Sequence, residues 1–270
     1  VQVAPIDQAF CNYYYRHVWE VSLPTFPGVL IAIQLSGLSL NTFILAMLPF
    51  SLLIILLGLP ALKKVPNHME VTEKRAKKQD WRDFFIGTLP IVAMMLLILV
   101  LQVKVYLAIL LIILVMLLYH RYSIKNIIAL KESIKWPLLL SVWLIMVFKE
   151  VLNASPAIDG LIPLISGLPI AEEIIFILIA FCISLLTGMS LPSLAITLPI
   201  AVAALGTPLS IPLLAGIVVA GYTASMLSPT HPCFTISCDY FGVSMIDLLK
   251  KLFPYLLIPL ILSIALVFLF

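Results

Sequence analysis

The chain has 270 residues, of which 63% are hydrophobic and 11% are charged, with a net charge of +3 at pH 7 and a mean hydropathy of +1.18. Soluble domains are about 45–50% apolar and about 25% charged, so this composition excludes a soluble enzyme, a disordered tail, a disulfide-stapled secreted domain and a nucleic-acid-binding domain. Residues 21–62, 174–238 and 252–270 contain no charged residue at all. Because a membrane span needs about 20 mostly apolar residues, the sequence predicts an all-α, polytopic integral membrane protein.

Basic residues cluster in short segments between the apolar stretches. Segment 61–83 has seven Lys or Arg against four acids, and segment 120–136 has four against one. Short loops rich in Lys and Arg remain in the cytoplasm, so both segments are predicted to face it. The basic pairs at 16–17 and 250–251 are assigned to the same side.

The cytoplasmic basic segments and the apolar stretches between them predict about seven transmembrane helices. The predicted spans are 24–38, 42–60, 84–101, 105–119, 137–152, 208–242 and 252–270. The predicted segments in chain order are 1–60, with two spans; 61–83, a cytoplasmic basic loop; 84–155, three spans; 156–205, an external loop and a re-entrant hairpin; 206–244, an unwound transmembrane helix; and 245–270, the final span. Because the chain begins with Val1 rather than Met, we expect it to be an excerpt of a longer protein.

The uncharged segment 174–238 holds the strongest functional signal. Two groups of Gly, Ser, Thr and Pro, at 187–193 and 221–232, interrupt its apolar pattern. The segment can be three full spans, with the interruptions as simple kinks, since Gly and Pro are frequent in transmembrane helices. Paired broken helices, however, form the substrate and ion sites of many secondary transporters. We therefore interpret 168–205 as a re-entrant hairpin and 208–242 as a helix unwound at 228–232.

The two interruptions supply the candidate site. The candidate substrate- or ion-binding residues are Thr187, Gly188, Ser190, Ser193, Gly221, Ser225, Ser228, Pro229 and Thr230. Hydroxyl groups, freed backbone N–H groups and helix N-termini favour an anion without any Lys or Arg. The first candidate coupling residue is His231, whose imidazole can exchange protons near neutral pH. The others are Lys149 and Glu150, because charged residues inside a span are usually functional; they lie late in the predicted span 137–152, near the outer surface of the membrane.

Metal and cofactor patterns are weak. His231, Cys233 and Cys238 offer three donors without a fourth, so no metal site is predicted. The four cysteines have no spacing that implies a disulfide. No Walker loop is present, so active transport would have to use an ion gradient rather than ATP.

Three sequence motifs carry a resemblance to a known family. They are Arg16-His17-x-Trp19-Glu20 followed by Pro24-x-x-Pro27-Gly28, Phe148-Lys149-Glu150-x-x-x-Ala154-Ser155, and Gly221-Tyr222 with Met226-Leu227-Ser228-Pro229-x-His231. With them the chain resembles an uncharacterised family of prokaryotic integral membrane proteins, domain-of-unknown-function family 401. That family is grouped with the ion transporter superfamily, which includes dicarboxylate, arsenite, gluconate-type and sodium/proton carriers.

The resemblance implies that the chain contains the second structural repeat of an inverted-repeat transporter. Residues 1–60 would then be the end of the first repeat, which would lie mostly upstream of Val1. Such a repeat has three scaffold spans, a re-entrant hairpin, an unwound helix and a final span. Sodium-coupled carboxylate carriers of the superfamily have Ser-Asn-Thr at both tips. This chain departs from them, with Gly188-Met189-Ser190 and Ser228-Pro229-Thr230 at the matching places.

The sequence thus predicts a secondary active transporter, not an enzyme, in the cytoplasmic (inner) membrane. It would move a small anion or ion, driven by an H⁺ or Na⁺ gradient. Its expected partners are the lipid bilayer and the transported solute, with a homodimer as one option and no nucleic acid. The alternatives are an intramembrane serine protease that uses Ser190 and His231, and a non-catalytic membrane subunit.

Topology gives the first testable prediction. Single cysteines placed at 64–80 or 121–135, in a variant without the four native cysteines, should react with a membrane-impermeant thiol reagent only from the cytoplasmic side. Cysteines at 156–166 should react only from outside, because basic loops are retained in the cytoplasm. Intact cells and inverted vesicles distinguish the two sides. Labelling of 64–80 in intact cells would invert the whole assignment.

Overall fold

The computed structural model describes residues 4–63, 77–119 and 169–269, together with isolated positions between 136 and 167. These described residues form helices and no strand, which confirms the all-α prediction for this part of the chain. In chain order the helices are α1 (Pro5–Arg16), α2 (Pro27–Ser36), α3 (Leu40–Leu62), α4 (Lys77–Leu99), α5 (Val105–Tyr119), α6 (Glu172–Thr187), α7 (Ser190–Leu205), α8 (Ile211–Leu227), α9 (Pro232–Phe241) and α10 (Met245–Leu269).

Within the described ranges, four apolar helical segments are long enough to cross a membrane. They are Leu40–Leu62, Trp81–Ile98, Met245–Leu269 and Ile211–Phe241, the last of which consists of α8 and α9 in succession. Each overlaps a predicted span. Apolar segments of this length are typical of an integral membrane protein.

Other predicted spans are shorter in the structure or lie outside its description. Helix α5 has the predicted bounds, but its 15 residues measure only about 22 Å at the α-helical rise. Helix α2 has 10 residues, about 15 Å, and is shorter than the span predicted for 24–38. The prediction for 137–152 falls mostly on residues outside the described ranges.

The chain divides into two compact units. The smaller unit, His68–Ser141, contains α4 and α5, which pack against each other. A non-helical turn at 101–104 joins them, where the sequence predicts a turn at 102–104. The larger unit, Val1–Asn67 with Val142–Phe270, contains the other helices and the described residues of the candidate site.

Helix α8 forms the centre of the larger unit. All its residues from Leu213 to Met226 are buried, and it packs against α3, α6, α7 and α10. A helix that is apolar on every side is expected to be surrounded by other helices. Gly216 permits the closest approach, because a Cβ there would lie 2.7 Å from Cδ1 of Ile177 on α6.

Helix α1 is short but deeply packed. Phe10, Tyr13 and Tyr14 are fully buried, and aromatic rings contribute large buried areas. The Tyr14 hydroxyl donates to the Ile54 carbonyl of α3 at 2.8 Å. Of the basic pair at 16–17, the Arg16 side chain is exposed and the His17 side chain is buried among the helices of the larger unit.

Candidate functional site

Helices α6 and α7 form a hairpin whose tip is Gly188–Met189. Helix α6 ends because Gly188 adopts a left-handed conformation with φ of +68°, which glycine adopts without steric cost. The Gly188 N–H donates to the Ser184 carbonyl at 2.8 Å. The Ser184 hydroxyl donates to the Met189 carbonyl at 3.1 Å, and the Met189 N–H donates to the Thr187 hydroxyl at 3.4 Å. The tip is therefore a turn held by its own side chains.

A second interruption separates α8 from α9. Helix α8 ends at Leu227 and α9 begins at Pro232, with non-helical residues at 228–231 between them. The buried Ser228 hydroxyl lies 2.8 Å from the Thr230 hydroxyl and accepts the Thr230 N–H at 3.2 Å. Pro232 has no N–H to extend the helical ladder. This break coincides with the unwinding predicted at 228–232.

The hairpin tip lies directly against this break. A Cβ added to Gly188 would lie 2.7 Å from Thr230 Oγ1 and 2.8 Å from the His231 backbone nitrogen, so only glycine fits. The Ser228 hydroxyl donates to the Leu185 carbonyl of α6 at 2.7 Å. The His231 Nδ1 atom lies 2.7 Å from the Gly188 carbonyl oxygen. The structure thus brings together residues from both predicted interruptions.

Three other predicted site residues contribute packing rather than free polar groups. Ser193 is buried and donates to the Ala180 carbonyl across the hairpin at 2.7 Å. Ser225 donates to the Tyr222 carbonyl of its own helix at 2.8 Å. Gly221 permits α8 to approach the hairpin, because a Cβ there would lie 3.4 Å from the Ser184 hydroxyl.

The remaining predicted residues lie at the margins of the contact or outside it. Thr187 is exposed at the end of α6, and Pro229 is exposed in the break. Of the candidate coupling pair, Glu150 is exposed, whereas Lys149 lies outside the described residues.

Three side chains that the sequence did not assign to the site come from α1 and the turn after it. Glu20 Oε1 accepts a hydrogen bond from the Ser190 hydroxyl at 2.8 Å. The Nε2 atoms of His17 and His231 lie 3.4 Å apart. The Tyr13 hydroxyl donates to the Met226 carbonyl at 3.1 Å, beside the break. His17 and Glu20 occur in the first resemblance motif, but no local pattern links Glu20 to Ser190, which is 170 positions away.

Two buried hydroxyl groups, on Tyr222 and Thr197, have no hydrogen-bond partner among the described residues. Tyr222 lies on α8, and its side chain is almost completely buried. Buried polar groups are nearly always paired with protein or with ordered water. The Tyr222 hydroxyl is therefore available to a polar molecule inside the bundle.

Four helix ends meet at the contact between tip and break. They are the carboxyl ends of α6 and α8 and the amino ends of α7 and α9. Neither amino end is capped by a side-chain hydrogen bond. Amino ends carry partial positive charge and carboxyl ends partial negative charge, so the contact offers N–H donors to an anion and carbonyl oxygens to a cation.

The apolar helices and the polar contact between two helix interruptions define a helical membrane protein. The chain belongs to the family described as "Protein of unknown function (DUF401)", whose sequence model matches residues 1–270. This confirms the family to which the three motifs pointed. No curated protein and no solved structure matches the chain.

Proposed function

We propose that this protein is a secondary active transporter of the ion transporter superfamily. It moves a small anion or ion across the cytoplasmic membrane and is driven by an H⁺ or Na⁺ gradient. The proposal rests on one observation, the close contact of Gly188 at the hairpin tip with Thr230 and His231 in the break. Non-helical backbone at membrane depth is tolerated where it is buried in protein or lines a cavity, and paired helix breaks are where secondary transporters bind their solutes.

The dimensions of the hairpin support a re-entrant arrangement. Helices α6 and α7 have 16 residues each, about 24 Å, which is less than the bilayer core of about 30 Å. Both therefore fit a hairpin that enters from one face and returns to it. The buried Tyr222 hydroxyl, which has no hydrogen-bond partner among the described residues, adds a polar group on α8 that could bind a solute inside the bundle.

The contacts of Ser190 and His231 favour transport over peptide hydrolysis. A Ser–His dyad requires the imidazole within hydrogen-bond reach of the hydroxyl. Here Ser190 donates to Glu20, while His231 Nδ1 bonds to Gly188 and its Nε2 faces His17. The other alternative is a non-catalytic membrane subunit. Such a subunit would not need broken helices, so it does not account for two helix interruptions that contact each other.

Reconstitution tests the proposal. Purified protein in proteoliposomes, under an imposed H⁺ or Na⁺ gradient, is given radiolabelled carboxylates, inorganic oxyanions and halides in turn. We expect uptake of at least one class that requires the gradient and stops when an ionophore collapses it. Failure of every class under both gradients would contradict a gradient-driven transporter of small anions.

Two serine substitutions test whether the contact between tip and break affects solute binding. Ser228→Ala removes the hydrogen bond from the break to the Leu185 carbonyl of α6. One hydrogen bond is worth about 0.5–1.5 kcal/mol, so apparent affinity should weaken roughly three- to tenfold. Ser263→Ala is the matched control, because buried Ser263 on α10 donates to a carbonyl of its own helix at 2.8 Å. Equal effects of the two variants would place the solute away from Ser228.

A further inference from the structure

Three metal-binding side chains gather beside the break. They are His17, which follows α1, His231, which precedes α9, and Cys233 in the first turn of α9. Their donor atoms all lie within 4.8 Å of one another. Both imidazoles are 7% exposed. The sequence offered Cys238 as the third donor, and the tertiary structure supplies His17 instead.

Hydrogen bonds determine the tautomer of both imidazoles. The Nδ1 atom of His17 lies 2.7 Å from the Tyr13 carbonyl, and that of His231 lies 2.7 Å from the Gly188 carbonyl. Because a carbonyl oxygen can only accept, each Nδ1 carries the proton, and each neutral ring has a lone pair at Nε2. These two Nε2 atoms face each other at 3.4 Å. Two facing lone pairs repel unless a cation lies between them.

We propose that His17, His231 and Cys233 bind a Zn²⁺ ion. Zinc–nitrogen bonds of about 2.0–2.1 Å in tetrahedral geometry place two nitrogens about 3.4 Å apart, which matches the observed separation of 3.4 Å. That separation exceeds the about 2.7–3.2 Å of a normal hydrogen bond, so a shared proton fits less well. Metal-bound histidines commonly donate their other N–H to a backbone carbonyl, as both rings do here.

The donor set also selects the class of ion. Two imidazoles and a thiolate suit zinc, whereas Na⁺, Mg²⁺ and Ca²⁺ prefer oxygen ligands. Three protein ligands leave a fourth tetrahedral position for water or a small anion. The ion joins the end of α1 to the start of α9, and through His231 it is one hydrogen bond away from the Gly188 carbonyl at the hairpin tip.

Cobalt spectroscopy on the purified full chain in detergent tests the site. After chelator treatment and dialysis, titration with Co²⁺ should give one ion per chain, intense tetrahedral d–d bands and a thiolate-to-cobalt charge-transfer band. An excess of Zn²⁺ should remove all of them. Cys233→Ser should lose the charge-transfer band and weaken binding at least tenfold, and His17→Gln should also weaken it at least tenfold.

Controls keep the result interpretable. Cys182→Ser, at an exposed cysteine of α6, should retain the full spectrum. Cys233→Ser is conservative, and size-exclusion elution shows whether each variant remains folded. A folded wild type without cobalt bands, or an unchanged spectrum in Cys233→Ser or His17→Gln, would overturn the site. Binding is measured without a membrane gradient, so this failure is distinct from failure of the transport proposal.

Discussion

Gly188→Ala should reduce uptake at least tenfold and lower the free energy of unfolding by roughly 2–5 kcal/mol. The left-handed backbone at φ of +68° strains any residue with a Cβ. The added methyl group would also lie 2.7 Å from Thr230 Oγ1 and 2.8 Å from the His231 backbone nitrogen, far inside the about 3.5–4.0 Å of a normal contact. The hairpin tip must then move away from the break, and the hydrogen bond from Ser228 to Leu185 must lengthen.

Gly242→Ala is the matched control for this variant. Gly242 follows α9 with φ of +62°, and a Cβ there would meet no heavy atom of the described residues within 4 Å. It therefore isolates the backbone strain of about 1–2 kcal/mol from the clash at the contact. Thermal unfolding in detergent and uptake in proteoliposomes measure both effects. If the two variants lose the same stability and activity, the tip is not seated against the break in the membrane.

Glu20→Gln should reduce gradient-driven uptake at least tenfold while leaving thermal stability close to wild type. The Gln side chain retains an Oε1 that can accept from Ser190, but the negative charge is lost. Under the proposed function, that charge attracts the coupling cation in a low-dielectric interior. Asp247→Asn, at an exposed acid in the first turn of α10, should leave uptake unchanged. Full gradient dependence in Glu20→Gln would exclude Glu20 as the coupling group.

A double-mutant cycle measures the contact itself. Measured from the free energies of unfolding, Ser190→Ala and Glu20→Ala should show a coupling energy of about 1.5–3 kcal/mol. This is the range for hydrogen bonds to charged groups. Ser193→Ala is the control, since Ser193 lies one turn further along α7 and bonds to Ala180 instead. Its effect should add to that of Glu20→Ala within about 0.5 kcal/mol. A coupling near zero for Ser190 would mean that the two side chains do not meet.

The sequence by itself determined the bounds of α5 and the positions of the two interruptions. Helix α5 coincides with the predicted 105–119, because an apolar run bounded by charged residues specifies its own length. The break at 228–231 and the tip at Gly188 fall within the predicted interruptions, because Gly and Pro limit backbone geometry locally. Such features depend on a few neighbouring residues, so they can be predicted without knowing how the helices pack.

Only the tertiary structure showed which side chains meet. Ser190 and Ser193 belong to one predicted set, yet one contacts Glu20 and the other the Ala180 carbonyl, because the direction of a side chain depends on the helix facing it. The charge pattern placed the basic pair at 16–17 on the cytoplasmic side but gave no partner for either side chain, and in the structure His17 is buried against His231. Contacts between residues 170 and 214 positions apart arise from helix packing. No local pattern of apolarity or charge contains that information, because the energy of such a contact exists only once both helices are in place.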